Sequence, residues 1–325
     1  MKAKVFITKP IPLEVENYIA KFCEYEIWRN EKPISEELLL EKARSVAGLM
    51  GAHIKVTEDL LEQAPQLKII SNIAVGYENF DIDLMRKRKI LGTHTPFVLD
   101  DTVADLVFGI LLAAGRKIAY LDRYTKAGNW NKIDDNKFLG VDIHNKTIGI
   151  VGMGRIGEKI AKRAALGFDM KILYTDREVK SEVDKKFNAT FCEFEQLLSR
   201  SDFVVTMTPL TRETYLMFGE KEFKLMKNSA IFINCSRGKI VNEKELIFAL
   251  QNNEIAGAGL DVYTQEPIDK NNPLLSMDNV VTTPHIGSAS AATRFEMAMK
   301  AAKNLVAGVN DNKPENLVWE LKDLV

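Results

Sequence analysis

Three ionisable residues of this 325-residue chain stand just past β-rich runs, and their types suit chemistry at a carbonyl group. Arg237 follows residues 230–235 in the stretch Asn234-Cys235-Ser236-Arg237-Gly238. Glu266 follows residues 256–262, and His285 follows residues 280–283. An arginine is permanently charged and grips a carboxylate through two parallel hydrogen bonds. A histidine titrates near neutral pH and can pass a proton to or from a substrate oxygen. A carboxylate beside it favours the imidazolium and orients the ring. A hydride-transferring oxidoreductase needs these services: hold the substrate, exchange the proton, tune the acid. In open α/β sheets such groups collect at the carboxyl ends of strands. The remaining histidines compete less well. His53 and His94 follow strand-like runs in the first half of the chain, and His144 precedes a strand as a surface residue would.

A second pattern points to the hydride carrier. The apolar run of residues 147–151 leads straight into Gly152-Met153-Gly154-Arg155-Ile156-Gly157. A helical pattern over residues 158–166 follows, and Asp176 lies 19 residues past Gly157, which is the context a dinucleotide fingerprint requires. Gly152 allows the tight turn, Gly154 lets a pyrophosphate approach the backbone, and Gly157 lets helix and strand pack closely. The helix start offers N–H groups and a positive dipole end to the phosphates. Asp176 can accept hydrogen bonds from both adenosine ribose hydroxyls and repels a 2′-phosphate, which favours NAD. Arg177 beside it can pair with that phosphate and leaves NADP open. The cofactor reading is NAD or NADP, with no metal.

Positioning these groups takes strands, and the sequence supplies them in alternation with helices. In the first hundred residues, β-rich runs at 4–8, 25–28, 46–50, 67–73 and 90–93 alternate with helical stretches at 13–22, 35–44, 57–63 and 81–88. Such alternation means βαβ units and a parallel sheet. Residues 101–116 read as one apolar helix with Asp100 or Asp101 as N-cap and Gly115 near its end. Residues 120–146 read as polar and irregular, an arm for subunit contact, with Trp130 and Phe138 as isolated aromatics. Alternation resumes with strands at 147–151, 171–175, 202–207, 230–235, 256–262 and 280–283, and helices at 158–166, 194–200 and 242–251. Asn242 and Glu245 have capping-box spacing. The stretch 289–309 is helical and too apolar to stand alone. The expected fold is α/β, with two doubly wound parallel-sheet domains. Residues 1–100 and 287–325 form the substrate domain, and residues 101–286 form the dinucleotide-binding domain.

Composition narrows the function classes. Lys plus Arg is 44 against 45 Asp plus Glu, a net charge of −1, which lacks the basic excess of nucleic-acid-binding proteins. Cys23, Cys192 and Cys235 are odd in number and far apart, which excludes a disulfide framework and the common zinc patterns. The N-terminal apolar run is too short for a signal peptide, and no stretch reaches the ~20 apolar residues of a membrane span. A cytoplasmic protein with no membrane or nucleic-acid partner is expected.

With these residues assembled, the sequence resembles the D-isomer-specific 2-hydroxyacid dehydrogenase family over essentially its full length. The matching stretches are residues 74–79, Asp101-Thr102-Val103-Ala104-Asp105, 151–157, Thr208-Pro209-Leu210-Thr211, 234–238, 257–267 and 283–288. Residues 140–157 bring it nearest to the branch of bacterial glyoxylate/hydroxypyruvate and 2-ketogluconate reductases. The resemblance implies a Rossmann-type nucleotide domain inserted in a flavodoxin-like substrate domain. Arg237 would bind the substrate carboxylate and keto oxygen, Glu266 would pair with His285, and His285 would donate the proton in reduction. Val75 and Gly76 would offer backbone N–H groups to the carboxylate. Thr102, Arg155, Ile156, Asp176, Cys235 and Asp261 would contact the cofactor, and the matched stretches add Thr208, Pro209 and Ser236. A homodimer acting on a small 2-keto or 2-hydroxy acid is also implied.

The sequence departs from the family at Lys239-Ile-Val-Asn242, where an acidic residue often starts the helix and Asn242 can cap equally well. It departs again near Phe138, where relatives often carry Trp. The short tail after His285 implies no regulatory domain of the kind found in longer phosphoglycerate dehydrogenases. A phosphoglycerate or D-lactate type dehydrogenase, or a non-enzymatic NAD-sensing co-repressor-like protein, are the alternatives on the same scaffold.

Overall fold

The computed structural model describes residues 2–30, 32–131 and 136–325. The chain divides into two compact units, Met1–Leu99 with Ala289–Val325, and Asp100–Ser288. In the first unit β1 (Ala3–Ile7), α1 (Leu13–Phe22), β2 (Cys23–Ile27), α2 (Glu36–Ala43), β3 (Gly48–Gly51), α3 (Glu58–Gln63), β4 (Ile69–Asn72), α4 (Ile82–Arg88) and β5 (Leu91–Thr93) follow in order. The strands pair in parallel as β2-β1-β3-β4-β5, the flavodoxin-like order. Every residue of β3 and β4 is buried, because a parallel sheet is covered on both faces. Ser35, Thr57 and Asp81 start their helices by accepting from the N–H three residues on. The C-terminal helix Ala291–Val309 packs on β3 and β4, where Ser71 Oγ donates to the Ala301 carbonyl at 2.8 Å.

The second unit opens with α5 (Asp100–Gly115) and α6 (Ile118–Lys126). Then come β6 (Thr147–Val151), α7 (Arg155–Phe168), β7 (Lys171–Thr175), α8 (Ser181–Phe187), β8 (Ala189–Phe191), α9 (Phe194–Arg200) and β9 (Phe203–Thr206). The unit closes with α10 (Glu220–Leu225), β10 (Ile231–Asn234), α11 (Glu243–Gln251), β11 (Gly257–Leu260) and β12 (Val280–Thr282). The sheet order is β12-β11-β10-β9-β6-β7-β8, all parallel. This is the Rossmann order with one strand added at the end. The chain winds outward from β6 through β7 to β8, then returns to lay β9 on the other side of β6. That reversal opens a crevice at the carboxyl ends of β6 and β9.

Several local expectations are corrected. Residues 118–126 form a helix where an irregular arm was expected from residue 120; residues 132–135 of that arm lie outside the described residues. Asp100 and Asp101 lie inside the first turn of α5 instead of capping it. Helix α7 begins at Arg155, three residues early, because Gly157 in its first turn disguises the start. Asn242 stands at the N-cap of α11, but its side chain makes no cap bond. Its expected box partner, Glu245, accepts from the Glu220 N–H instead. Helices α8 and α10 and strand β8 carry no expectation from the sequence.

Candidate active site

The crevice at β6 and β9 is lined by the glycine-rich turn. Gly152 has φ +98°, and a Cβ there would stand 2.9 Å from the Met207 backbone that follows β9. A Cβ on Gly157 would fall 2.3 Å from the Gly152 carbonyl oxygen, so the helix can approach the strand only without a side chain. Gly154 faces open space. It is the N-cap of α7 and brings no side-chain cap, which leaves the first helical N–H groups to a ligand. Asp176, just past β7, accepts from Met153 N–H at 2.8 Å and from Arg177 N–H at 2.7 Å, which braces the turn against the second strand. Arg177 is exposed. Arg155 is tied to Asp100 on α5 at 3.0 Å, Ile156 is half-buried, and Thr102 lies in the first turn of α5. Thr208 carries a buried hydroxyl with no hydrogen-bond partner, and Pro209 follows it, exposed. An orphaned hydroxyl, an uncapped helix start and an open Gly154 side by side fit a bound dinucleotide phosphate.

Beyond β10, β11 and β12 the structure brings Arg237, Glu266 and His285 into one constellation. Asn234 ends β10 and shapes its loop: its Oδ1 accepts from Ser236 N–H and Oγ, both at 3.0 Å, and its Nδ2 donates to the Arg237 carbonyl at 3.0 Å. Cys235 and Ser236 are buried there. Burial pushes the Cys235 thiol well above its ordinary pKa, with the Asp261 charge adding to the effect, so it is inert. A Cβ on Gly238 would overlap the Tyr263 carbonyl at 1.9 Å, so this loop runs in contact with the loop after β11. Glu266 Oε1 accepts from Tyr263 N–H at 3.1 Å, and His285 Nδ1 meets Glu266 Oε2 at 2.6 Å. Burial pushes the Glu266 carboxyl up. The hydrogen bonds from His285 and Tyr263 and the charges of His285 and Arg237 outweigh it and hold the group below its ordinary pKa. An ionised Glu266 accepts the hydrogen bond from Nδ1–H of His285 and leaves Nε2 for a substrate.

The backbone at His285 is held as firmly as the ring. Its φ is +52°, a left-handed conformation uncommon outside glycine and concentrated at functional sites. Asp261 imposes it. Its carbonyl accepts from His285 N–H at 2.9 Å, while its buried carboxylate accepts from Thr283 Oγ1 at 2.7 Å and from Ile286 and Gly287 N–H at 2.8 Å each. Burial raises the Asp261 pKa against these bonds. Tyr263 donates its hydroxyl to the Leu260 and Thr283 carbonyls, joining the ends of β11 and β12, and burial pushes it up to about 12. Asn234, Tyr263 and Thr283 went unnoticed in the sequence. Each is a polar residue at a strand end inside a matched stretch, which is the one signal that marked them.

Val75 and Gly76 lie in the other unit, in the loop after β4. The Val75 carbonyl accepts from His94 Nδ1 and the Gly76 carbonyl from Asn72 Nδ2, both at 2.8 Å. Of the other histidines, His53 has φ +59° after β3, and His144 is exposed.

A turn of this shape at the switch point of a Rossmann-ordered sheet belongs to the dinucleotide-dependent oxidoreductases. Residues 108–287 match the family described as D-isomer specific 2-hydroxyacid dehydrogenase, NAD binding domain, and the chain belongs to that dehydrogenase family. It is 45% identical over 318 residues to a glyoxylate/hydroxypyruvate reductase B of Enterobacter sp. (strain 638), covering 98% of each chain. It is 48% identical to a glyoxylate reductase of Pyrococcus horikoshii, covering 98% of this chain and 96% of that one. Among solved structures it resembles the NADPH-dependent glyoxylate/hydroxypyruvate reductase of Sinorhizobium meliloti in complex with NADP and malonate. That match has a TM-score of 0.86 at 28% identity and covers 99% and 98% of the two chains. The protein is an NAD(P)-dependent oxidoreductase acting on CH–OH groups, with NAD or NADP as cofactor. Among the described residues, no helix is long and apolar enough to cross a membrane, and no cluster could hold a metal ion.

Proposed function

We propose that the protein reduces small 2-keto acids to D-2-hydroxy acids, glyoxylate and hydroxypyruvate foremost and 2-ketogluconate as a larger substrate. The observation that carries this is the 2.6 Å contact between His285 and an ionised Glu266, with the Arg237 charge acting on the same carboxylate. The names of the close relatives support the choice of keto acid. The bound dinucleotide supplies the hydride. Arg237 holds the keto acid by its carboxylate and carbonyl oxygen. His285, protonated and with Nε2 facing outward, gives its proton to that oxygen as negative charge develops there, and Glu266 stabilises the imidazolium. Val75 and Gly76 offer N–H groups to the carboxylate. Thr102, Arg155, Ile156, Asp176, Thr208, Pro209, Cys235, Ser236 and Asp261 surround the cofactor.

Loss of reduced-dinucleotide absorbance, followed in parallel with glyoxylate, hydroxypyruvate, 2-ketogluconate, pyruvate and 3-phosphohydroxypyruvate, tests the reading. Fastest turnover of one of the first three upholds it. Preference for pyruvate or the phosphorylated acid would turn it into a lactate or phosphoglycerate type dehydrogenase, and no turnover with tight dinucleotide binding would point to a sensor.

A dimer completes the reading. Phe108, Gly109 and Leu112 of α5 line an open groove with Leu166 and Phe168 of α7, and Leu166 is 71% exposed. Asp101, Asp105, Lys162 and Arg163 rim the same groove, and an exposed leucine among charged residues suits a second copy of the chain. Light scattering should give a dimer that Leu166→Arg dissociates.

A further inference from the structure

The loop after β4 carries three successive carbonyls, and each has a donor. Ala74 accepts from Thr95 N–H, Val75 from His94 Nδ1 and Gly76 from Asn72 Nδ2, all at 2.8 Å. In a trans peptide the N–H points opposite to the preceding carbonyl. Along an extended strand successive carbonyls alternate in direction. Here the Ala74 and Val75 carbonyls both turn toward residues 94 and 95, so the N–H groups of Val75 and Gly76 both turn away from them. Among the described residues neither N–H has a protein acceptor. Two successive N–H groups facing one way make a concave seat for an anion.

Two of the three donors are side chains, and the contacts of one of them, His94, fix it in place. A carbonyl only accepts, so Nδ1 of His94 carries the proton. The ring stands edge-on to Tyr77, with centroids 5.2 Å apart and planes at 81°. The Tyr77 hydroxyl in turn donates to Glu320 at 3.2 Å. The His94 N–H donates to the Asn316 carbonyl at 3.1 Å, and its own carbonyl accepts from Asn304 Nδ2 at 3.3 Å. We propose that His94 is a positioning residue: by holding the Val75 carbonyl it aims the Gly76 N–H beside that of Val75 to receive the substrate carboxylate. This rests on the reading that Val75 and Gly76 hold that carboxylate.

The test is steady-state kinetics with glyoxylate, together with NADH titration, on three variants. His94→Phe keeps a ring against Tyr77 and removes the donor. It should raise KM about 10-fold while kcat and NADH affinity stay within about 2-fold, the loss expected for a hydrogen bond to a charged ligand. His94→Asn places an amide nitrogen where Nδ1 stands and should recover most of that KM. Gly76→Pro deletes one N–H of the seat and should raise KM at least as much as His94→Phe. A raised KM in Gly76→Pro with an unchanged KM in His94→Phe would overturn the role of His94 alone. An unchanged KM in both would overturn the carboxylate seat as well. Equal losses of KM, kcat and NADH affinity in His94→Phe, with no recovery in His94→Asn, would reduce His94 to a structural residue and also overturn the proposal.

Discussion

At His285 the ring and the backbone answer to different carboxylates. Glu266 accepts the hydrogen bond from the ring at Nδ1, and Asp261 holds the peptides on either side. Removing the ring should therefore remove the proton donor without moving its neighbours. General acid–base groups contribute about 10²–10⁴-fold, so His285→Ala should lose roughly that much in kcat. Arg237→Ala should raise KM as well, because carboxylate binding is lost from ground and transition states alike. Glu266→Gln keeps a hydrogen bond and loses the charge. Since the wild-type carboxyl is held below its ordinary pKa, it stays ionised as pH falls and is neutralised only below the range of a free glutamate. Reduction consumes a proton and oxidation releases one, so reduction should decline as pH rises and oxidation should improve. In Glu266→Gln the reductive limb should move to lower pH with a smaller rate loss than in His285→Ala. Profiles of kcat/KM against pH for the two proteins decide this, and superimposable profiles would end the dyad. Asp176→Ser tests the other end of the site. It keeps an acceptor for Met153 N–H and removes the charge facing a 2′-phosphate, so preference should move toward NADPH. A wild type already about tenfold better with NADPH would mean that Arg177 outweighs Asp176.

At the scale of elements, the loops after β10 and β11 work as one piece because no side chain separates them. A Cβ on Gly238 would overlap the Tyr263 carbonyl, so Gly238→Ala must push the Arg237 loop away from the loop holding Glu266. Overpacking of this kind costs about 1–3 kcal/mol in stability. The variant should melt earlier and lose kcat by at least about 10-fold, since a misplacement near 1 Å can cost far more. The glycine turn of β6 is not involved, while Cys235, Ser236 and Asp261 flank the shifted loops, so NADH affinity should fall by less than kcat, and an equal loss of the two in fluorescence titration would refute the separation. The elements themselves differ in how plainly the sequence announces them. Strands β6 and β7 and helices α1 and α9 fall where the residue pattern sets them: the strands are short apolar runs buried along consecutive residues, and the helices each bury an apolar pair. Helix α6 buries none of its residues, so no core contact marks it, and its apolar residues Ile118 and Leu121 are spaced like those of a helix all the same. Helix α8 buries only Val183, and β8 has three residues. The pairing of Glu266 with His285 was legible from their places after neighbouring strands. The supports from Asn234, Tyr263 and Asp261 were not, because they act through hydrogen bonds to backbone that only the folded sheet brings near.

At the scale of the whole molecule, the two units differ in how they depend on chain continuity. The unit Asp100–Ser288 is unbroken in sequence, and α5 is fastened to α7 within it by Arg155–Asp100 and by Arg163 with Asp101 and Asp105. The other unit takes its last helix from the far end of the chain. That helix buries Met297, Leu305, Val306 and Val309 against the first sheet, and Thr93 forms a bridge with Leu317 beyond it. Burying four such side chains contributes roughly 6–12 kcal/mol, at about 1.5–3 kcal/mol each. The total stability of a domain is about 5–15 kcal/mol. A chain ending at Ser288 should therefore leave the first unit unfolded while the second survives. The fragment Asp100–Ser288, expressed alone, should melt in a single cooperative step and bind NADH within about tenfold of the full chain. It should show no keto-acid turnover, because the Val75–Gly76 seat is absent. Calorimetry and NADH fluorescence on the fragment check this. A fragment that fails to melt cooperatively, or that has lost NADH binding, would mean that the nucleotide-binding unit relies on the rest of the chain for its fold.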